Sequence, residues 1–338
     1  MIKVGVIGCG YWGPNLIRNF SSLPGCKVKS ICDIDCERLS SMKRLYPGVE
    51  SSTDADHVIN DPEIDAIAIA TPVYLHFEMG KKSLMMGKHT FIEKPMASSA
   101  AQCQALIELA AKQKLILMIG HTFIYTSAVR KIRDIIDSGE LGEIFYISSR
   151  RLNLGLFQKD INAAWDLAPH DISIILYITQ QPPLSVNCQG KAHVVEGIED
   201  VITLSMDFPN GIFATFHGSW LDPHKVREIK VVGSKKMLVY DDTEPLEKIK
   251  IYDKRVDVPP HYDTFAEFQY SYHYGDMYAP YVNQVEPLKV QLGHFLDCIR
   301  TGAKPDSSGW EGLKVVQILE AASESLKNDG AKVKIPIS

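Results

Sequence analysis

The stretch that decides the fold is the beginning of the chain, MIKVGVIGCGYWGPNLIRNF, residues 1–20. It starts with a short apolar run, Ile2–Ile7, and ends with apolar residues at helical spacing. Between the two lie Gly8, Gly10 and Gly13, in the pattern G-x-G-x-x-G. A glycine turn of this kind between a strand and a helix is typical of dinucleotide-binding folds, because a pyrophosphate can approach the backbone there.

An acidic residue supports this interpretation. Asp33 ends the second predicted strand, 20 residues after Gly13, where a carboxylate can accept the ribose hydroxyls of a dinucleotide. The same carboxylate would repel a 2′-phosphate, so the sequence favours NAD over NADP, although Arg38 could accept such a phosphate. The alternative is a glycine-rich turn that merely joins a strand to a helix. The predicted cofactor-binding residues of this region are Gly8, Gly10, Tyr11, Trp12, Gly13, Asp33 and Arg38.

Strand and helix patterns alternate over the first third of the chain, which indicates βαβ units and a parallel sheet. The predicted strands are Ile2–Ile7, Val28–Cys32, Ala66–Ala70, Thr90–Glu93 and Leu115–Ile119. The helix before the last of these strands has Ser98 or Ser99 as its predicted N-cap.

The rhythm changes near residue 120, where β-rich segments begin to dominate. Those segments are Ile144–Ser149, Ser185–Val195, Val201–Phe208, Ile212–Trp220, Val226–Val232, Met237–Tyr240 and Ile249–Tyr252. Pro209-Asn210-Gly211 predicts a hairpin turn between two of them. The sequence therefore predicts an α/β protein: a Rossmann dinucleotide-binding domain over 1–120, and an α+β substrate-binding and oligomerisation domain with a largely antiparallel sheet over 121–338.

Composition and charge limit the function classes. The chain has 338 residues, of which 45% are hydrophobic and 23% charged, and its net charge is −5. This mild acidity predicts no nucleic-acid partner and no membrane partner. The seven cysteines form no C-x-x-C pair, so we expect reduced thiols and no metal site. The N-terminus has no signal-peptide pattern, and a cytoplasmic location is predicted.

Two further motifs carry chemistry. Residues 69–97 read IATPVYLHFEMGKKSLMMGKHTFIEKPMA, and residues 165–171 read WDLAPHD. Together with the glycine turn, they resemble the glucose–fructose oxidoreductase/inositol dehydrogenase/MocA family (Gfo/Idh/MocA) over essentially the whole chain. The shared residues include Thr71-Pro72, His76, Glu93-Lys94-Pro95 and the pair Asp166 and His170.

The resemblance implies an NAD-dependent dehydrogenase acting on a CH–OH group. Lys94 corresponds to the lysine beside the reacting hydroxyl, His170 to the proton acceptor and Asp166 to its substrate-binding partner. The chemistry agrees, because histidine titrates near neutrality and an ammonium group stabilises a developing alkoxide. Taken singly, each of these residues has an ordinary structural alternative. The resemblance also implies that Thr71, Pro72, His76, Glu93 and Lys94 bind the cofactor.

The substrate side is less specific. Lys94, Arg150, Arg151, Asn153, Asp166 and His170 are the predicted substrate-binding residues. Adjacent strand residues point to opposite faces, so one arginine is expected to bind a diphosphate or carboxylate, with an exposed strand charge as the alternative. Six tyrosines within 261–281 suit either a stacking loop or packing against another subunit.

The C-terminal part is similar to family members that act on nucleotide-linked sugars. The resemblance implies oxidation at C3 of a UDP-linked N-acetylated amino sugar. The alternatives are a ketosugar reductase, a free sugar or polyol dehydrogenase of the inositol type, and a dinucleotide-binding regulator without catalysis. Intact Lys94, Asp166 and His170 disfavour the regulator. A homo-oligomer, dimer or tetramer, is expected because a half-covered antiparallel sheet can use its other face for a subunit contact.

Overall fold

The computed structural model describes residues 1–158, 161–257 and 271–336. The chain divides into two compact units. The first unit comprises Met1–Tyr125 with Val285–Glu320, and the second comprises Thr126–Gln284 with Ala321–Ser338. Among the described residues, no helix combines the length and the apolar character needed to cross a membrane.

Strands and helices alternate in the first part of the chain, and strands dominate its middle. The strands are β1 (Ile2–Ile7), β2 (Cys26–Cys32), β3 (Glu50–Ser52), β4 (Ala66–Ile69), β5 (His89–Ile92), β6 (Leu117–Ile119), β7 (Ile144–Leu152), β8 (Ser185–Lys191), β9 (Val201–Asp207), β10 (Phe213–Ser219), β11 (Val226–Gly233), β12 (Met237–Asp241), β13 (Ile249–Asp257), β14 (Ser271–Tyr278) and β15 (Val333–Lys334). The α-helices are α1 (Gly13–Ser22), α2 (Cys36–Leu45), α3 (Ala55–Ile59), α4 (Val73–Met85), α5 (Ala100–Gln113), α6 (Ser127–Asp137), α7 (Ala163–Thr179), α8 (Pro287–Thr301) and α9 (Gly309–Lys327).

The first unit contains a C-terminal segment of the chain in addition to its N-terminal part. Helix α8 and the first part of α9 belong to the first unit, although they follow the second unit's sheet in the chain. The physical reason is an aromatic cluster, in which Phe295 of α8 lies 5.9 Å from Phe91 and 6.5 Å from Phe20, ring centroid to ring centroid. Helical periodicity indicates an apolar face on α8 but not the sheet that this face covers.

The first unit is built on a parallel six-stranded sheet of order β3-β2-β1-β4-β5-β6. Strand β4 reads Ala-Ile-Ala-Ile and is fully buried, as expected for a sheet covered on both faces. The strand order reverses between β2 and β4, on either side of β1. In open α/β sheets, ligands bind beyond the carboxyl ends of the strands at such a switch point. The sequence missed the short elements β3 and α3.

Side-chain caps fix where several helices begin. Asp35 accepts hydrogen bonds from the backbone of Glu37 and Arg38 at the start of α2. Ser99, rather than Ser98, caps α5. Such caps satisfy backbone N–H groups that the first turn leaves without a partner.

The second unit contains a nine-stranded sheet of order β14-β13-β12-β11-β7-β10-β9-β8-β15. Among the strand pairs of the described residues, only β7 with β10 is parallel in this sheet, so the sheet is mixed and mostly antiparallel, as predicted. The predicted turn at Pro209–Gly211 joins β9 to β10, and Asn210 there has a φ of 61°. Helix α7 packs on β7 and β10.

Part of the tyrosine-rich stretch forms a strand instead of a loop. Tyr272, Tyr274 and Tyr278 lie on the edge strand β14 and are exposed. Tyr281 is also exposed. Tyr262 and Tyr270 lie outside the described residues, so the role of these two tyrosines stays a prediction.

Candidate active site

The glycine turn has the shape that a pyrophosphate site requires. Gly8 has a φ of +97°, and a Cβ there would lie 2.5 Å from the carbonyl oxygen of Ala70. A Cβ on Gly13 would lie 1.9 Å from the carbonyl oxygen of Gly8. A Cβ on Gly10 would lie 3.4 Å from Nη1 of the Arg38 guanidinium, with no closer contact. The first and third glycines therefore permit the turn and the close approach of α1, and the second leaves the backbone open.

Asp33 is tied to this turn. It is 7% exposed. Its Oδ2 accepts the backbone N–H of Cys9 at 2.6 Å, and its Oδ1 accepts that of Asp35 at 2.9 Å. The exposed guanidinium of Arg38 lies 3.7 Å from Oδ2. The carboxylate and the arginine predicted to discriminate the two cofactors are therefore neighbours.

The ends of β4 and β5 approach each other through a histidine. His76, in the first part of α4, is 1% exposed. Its Nδ1 lies 2.8 Å from the carbonyl oxygen of Pro95, and its Nε2 lies 2.8 Å from that of Thr71. The ring is thus turned towards backbone, whereas the resemblance implied contact with the cofactor. The Lys94–Pro95 peptide bond is cis.

Glu93 and Lys94 follow β5 at the carboxyl edge of the sheet. Lys94 is partly exposed, while Glu93 is buried. Burial raises the pKa of Glu93 to about 8, and the Lys94 charge opposes this shift. The Glu93 Oε2 atom accepts the backbone N–H of Lys94 at 3.3 Å. Gly120 makes room for the carboxyl group, because a Cβ there would lie 2.6 Å from Oε2.

His121 joins this group from the loop that follows β6. It is 1% exposed, and burial together with the Lys94 charge lowers its pKa to about 3. Among the described residues, neither its ring nitrogens nor Glu93 Oε1 has a hydrogen-bond partner. The indole N–H of Trp12 lies beside the Glu93 carboxyl without hydrogen-bond geometry. In the sequence, His121 follows Gly120 at the end of a strand, at the same carboxyl edge of the sheet as Lys94. This position is the signal that could have identified His121.

In the second unit, Asp166 and His170 lie four residues apart on α7 and therefore on one face of the helix. Asn162 caps this helix by accepting the backbone N–H of Trp165. The Oδ2 of Asp166 accepts a hydrogen bond from the Trp220 indole at 3.1 Å. The arrangement holds one carboxylate and one imidazole side by side.

Asp171 anchors the same helix to the sheet. Its Oδ1 accepts the Ser149 hydroxyl at 2.5 Å, and its Oδ2 accepts Arg151 Nε at 2.5 Å. All three residues are buried. This network lies one residue after His170, so it fixes the rotation of α7 about its axis at that point.

The two predicted arginines point to opposite faces of β7, as expected. Arg151 faces α7 in its ion pair with Asp171, whereas Arg150 pairs with Glu228 at 2.6 Å and keeps 44% of its side chain exposed. Asn153 follows the strand and donates its backbone N–H to Ser219. That an arginine binds substrate stays a prediction. Both guanidinium groups are already paired with a carboxylate.

The first unit therefore fits a dinucleotide. Its glycine turn is sterically closed to side chains at Gly8 and Gly13, opens the helix α1, and has Asp33 at the adjacent strand end. Free N–H groups at a helix N-terminus bind phosphates. Within the described residues, no cluster of three or more histidines, cysteines or acids is arranged to hold a metal ion. Fold and site together define a dinucleotide-binding oxidoreductase class.

Comparison with protein families gives the particular family. Residues 2–121 match the Gfo/Idh/MocA oxidoreductase family's NAD-binding Rossmann fold, and residues 129–239 match the Gfo/Idh/MocA C-terminal domain. The chain belongs to the Gfo/Idh/MocA family. It is an oxidoreductase of the dehydrogenase type that binds NAD(P) and a small substrate.

Relatives differ in substrate. The chain is 26% identical to the uncharacterized oxidoreductase YrbE of Bacillus subtilis, over 96% of this chain and 94% of that protein. It is 23% identical to the scyllo-inositol 2-dehydrogenase (NADP(+)) IolW of Bacillus subtilis, over 96% and 94%. It is 26% identical to the UDP-N-acetylglucosamine 3-dehydrogenase of Acidithiobacillus ferrooxidans, over 68% and 71%.

The fold is also that of solved structures. The structure of UDP-N-acetylglucosamine 3-dehydrogenase GnnA from Acidithiobacillus ferrooxidans superposes with a TM-score of 0.80. It covers 97% of this chain and 98% of that chain at 21% identity. At this identity the likeness establishes the fold and leaves the substrate open.

Proposed function

We propose that the protein is an NAD-dependent dehydrogenase that oxidises a sugar hydroxyl, at C3 of a UDP-linked N-acetylated amino sugar. The observation that carries the proposal is the set of polar groups at two places. Lys94 stands at the carboxyl edge of the parallel sheet, the edge at which the glycine turn also lies, and Asp166 and His170 share one face of α7. Similarity to a UDP-N-acetylglucosamine 3-dehydrogenase supports the choice of substrate.

The proposed chemistry assigns one task to each residue. His170 takes the proton of the substrate hydroxyl at Nε2, because its Nδ1 is buried. The Lys94 ammonium stabilises the negative charge that develops on the same oxygen. Asp166, held by the Trp220 indole, binds the sugar. Its negative charge also stabilises the imidazolium that His170 becomes after proton transfer. A bound nicotinamide supplies the hydride acceptor.

Asp33 supports the choice of NAD. It lies at the end of β2 with its carboxylate fixed against the glycine turn, and a fixed negative charge repels a 2′-phosphate. Arg38, 3.7 Å from that carboxylate, is already paired with it. In our proposal, Arg38 is therefore not available for a 2′-phosphate, and NAD is preferred over NADP.

Two further parts of the proposal concern the cell and the assembly. The seven cysteines are free thiols, which suits a reducing, cytoplasmic environment.

Tyr146 and Phe213 pair across β7 and β10 and are 40% and 42% exposed, on the strand face opposite α7. We propose this face as the contact of a homo-oligomer. Light scattering on the wild type and on Tyr146→Glu tests this contact. A charge placed there should weaken the association and lower the molecular mass of the particles in solution.

A substrate panel tests the function. NADH formation is measured with UDP-N-acetylglucosamine, its uronic-acid relative, free N-acetylglucosamine and an inositol, and mass spectrometry identifies the keto product. We expect a kcat/KM for the UDP-sugars at least about 100-fold above that for the free compounds, because remote binding energy also raises turnover. An inositol oxidised as well as any UDP-sugar would instead favour a polyol dehydrogenase, as in IolW.

Variants identify the residues. Lys94→Ala should keep NADH affinity, because the glycine turn and Asp33 are untouched, and should lose turnover by about 100-fold or more. His170→Ala should also lose turnover and flatten its pH dependence. Running the panel with Arg150→Lys and Arg151→Lys shows which arginine, if either, narrows the gap between UDP-sugars and free sugars. Normal rates for Lys94→Ala and His170→Ala would contradict the assignment.

A further inference from the structure

His76 lies where two loops of the first unit meet. It belongs to α4, which begins directly after Thr71-Pro72 at the end of β4. Its two ring nitrogens each lie 2.8 Å from a carbonyl oxygen, one in Pro95 and one in Thr71. Pro95 directly follows Lys94 at the end of the neighbouring strand β5. A rigid imidazole thus sets the spacing between the two loops.

The ring cannot act on the cofactor or the substrate directly. His76 is 1% exposed, and both nitrogens face backbone carbonyls. Burial lowers the pKa of His76, and the Lys94 charge lowers it further, against the opposing hydrogen bonds to Pro95 and Thr71. A neutral imidazole carries a single N–H, so it donates to one of the two carbonyls at a time.

The Pro95 contact is the one with a consequence for chemistry. Proline has no backbone N–H, so its carbonyl is the only backbone group through which Pro95 can hydrogen-bond. The Thr71 loop has other anchors, because the Ala70 N–H donates to Ile7 and the Leu75 N–H donates to Pro72. Loss of the imidazole would therefore leave the Pro95 carbonyl without this hydrogen bond, whereas the loop after β4 would keep its two backbone hydrogen bonds.

We infer that His76 is a positioning residue: by donating from Nδ1 to the Pro95 carbonyl, it holds the Lys94 ammonium at the place where the substrate oxygen becomes charged. This inference rests on the proposed function of Lys94. It adds a role for His76, which takes no part in the proton or hydride transfer. Displacing a catalytic group by about 1 Å can lower turnover about 100-fold, so a backbone hydrogen bond next to Lys94 matters.

Three substitutions separate the two contacts. The amide nitrogen of asparagine occupies the place of Nδ1, and that of glutamine reaches the place of Nε2. His76→Asn therefore keeps a donor for Pro95, His76→Gln keeps one for Thr71, and His76→Leu keeps neither. We expect kcat to stay within about 3-fold in His76→Asn and to fall about 10-fold or more in the other two variants. Thermal unfolding verifies that each variant is folded.

NADH titration is the second readout. Because the glycine turn and Asp33 are unchanged, we expect NADH affinity within about 3-fold of the wild type in all three variants, so that the loss is confined to kcat. A merely structural role would lower cofactor affinity and kcat together, and equally in His76→Asn and His76→Leu. Either of these results, or retention of kcat by His76→Gln but not by His76→Asn, would overturn the inference.

A measurement without substrate keeps this test separate from that of the proposed function. The rate at which trinitrobenzenesulfonate labels Lys94 is followed over pH by peptide mass spectrometry in the wild type and the three variants. We expect the labelling profile of His76→Asn to match the wild type and that of His76→Leu to depart from it. If no panel compound is oxidised, the proposed function fails while the labelling still decides the role of His76. Identical profiles in all four proteins would refute it.

Discussion

In the first unit, the groups at the carboxyl edge of the sheet are placed by the backbone. Gly8 and Gly13 leave no room for a side chain, and Asp33 accepts the backbone N–H of Cys9 in the turn itself. In the second unit, the candidate residues stand on a helix, and a buried side-chain ion pair between Asp171 and Arg151 anchors that helix to β7. Adding a methyl group should disrupt the site that the backbone builds. Removing a charge should disrupt the site that the ion pair anchors.

Gly13→Ala should have the largest effect on either unit. The added Cβ would lie 1.9 Å from the Gly8 carbonyl oxygen, which a backbone turn cannot accommodate. We expect a loss of more than about 3 kcal/mol in unfolding free energy and no measurable NADH binding. Gly48→Ala is the control, because a Cβ there meets nothing within 4 Å. Unfolding and NADH titrations on both variants check this, and equal stability of the two would show that the turn yields.

Asp171→Asn tests the second unit by the opposite change. It keeps the shape of the side chain but leaves the buried Arg151 without its charge partner, so we expect a loss of about 3 kcal/mol. The matched control is Glu228→Gln, which removes the partner of the neighbouring, half-exposed Arg150 and should cost about 0–1 kcal/mol. Denaturant unfolding measures both. Similar losses would mean that burial does not distinguish the two pairs.

Glu93→Gln sharpens the comparison through pH. Burial raises the pKa of Glu93 from 4.5 to about 8, so between these values the folded protein holds a proton that the unfolded chain has lost. Stability from this group therefore falls as pH rises from about 5 to 8. Glutamine does not titrate, so the unfolding free energy of the variant should increase relative to that of the wild type over this pH range.

His121→Gln provides the opposite sign. The pKa of His121 is lowered from 6.5 to about 3, so the unfolded chain binds more protons than the folded protein between these values. Its contribution to stability therefore increases with pH over that range, and the variant should lack the increase. Unfolding curves recorded from acid to neutral pH compare the two variants. Parallel pH profiles for wild type, Glu93→Gln and His121→Gln would count against both shifts.

Asp33→Asn should have the smallest effect. Asparagine can still accept the Cys9 N–H but carries no charge against a 2′-phosphate. We expect the ratio of NADH to NADPH affinity to fall about tenfold, on the order of 1.4 kcal/mol. Fluorescence titrations with both cofactors measure it, with Arg38→Ala removing the adjacent cation as a comparison. Tighter binding of NADPH by the unmodified protein would contradict the proposed preference.

The backbone-built part could be predicted from the sequence, and the charge-anchored part could not. Gly8, Gly13 and Asp33 are recognisable because a turn of fixed length sets their spacing. The Asp171–Arg151 pair joins a helix to a strand, and its register depends on how α7 packs, which periodicity does not specify. His76 could be seen only as part of a motif, since its two carbonyl partners belong to loops brought together by the pairing of β4 and β5.

The short elements escaped prediction for a related reason. Strand β3 has three residues and α3 has five, too few for a hydrophobic period to emerge. The edge strand β14 is largely exposed, so it lacks the buried alternation that marks a strand in sequence. Its tyrosines suggested a loop because no apolar face accompanied them.

The aromatic cluster of Phe20, Phe91 and Phe295 has a consequence for synthesis on the ribosome. Phe20 and Phe91 emerge early, but Phe295 arrives only after the residues 126–284 of the second unit have been made. At roughly 5–20 residues per second, that delay is on the order of 10 s. The nascent parallel sheet must wait that long with part of its aromatic surface uncovered, so a chaperone that shields this surface would act before the second unit is complete.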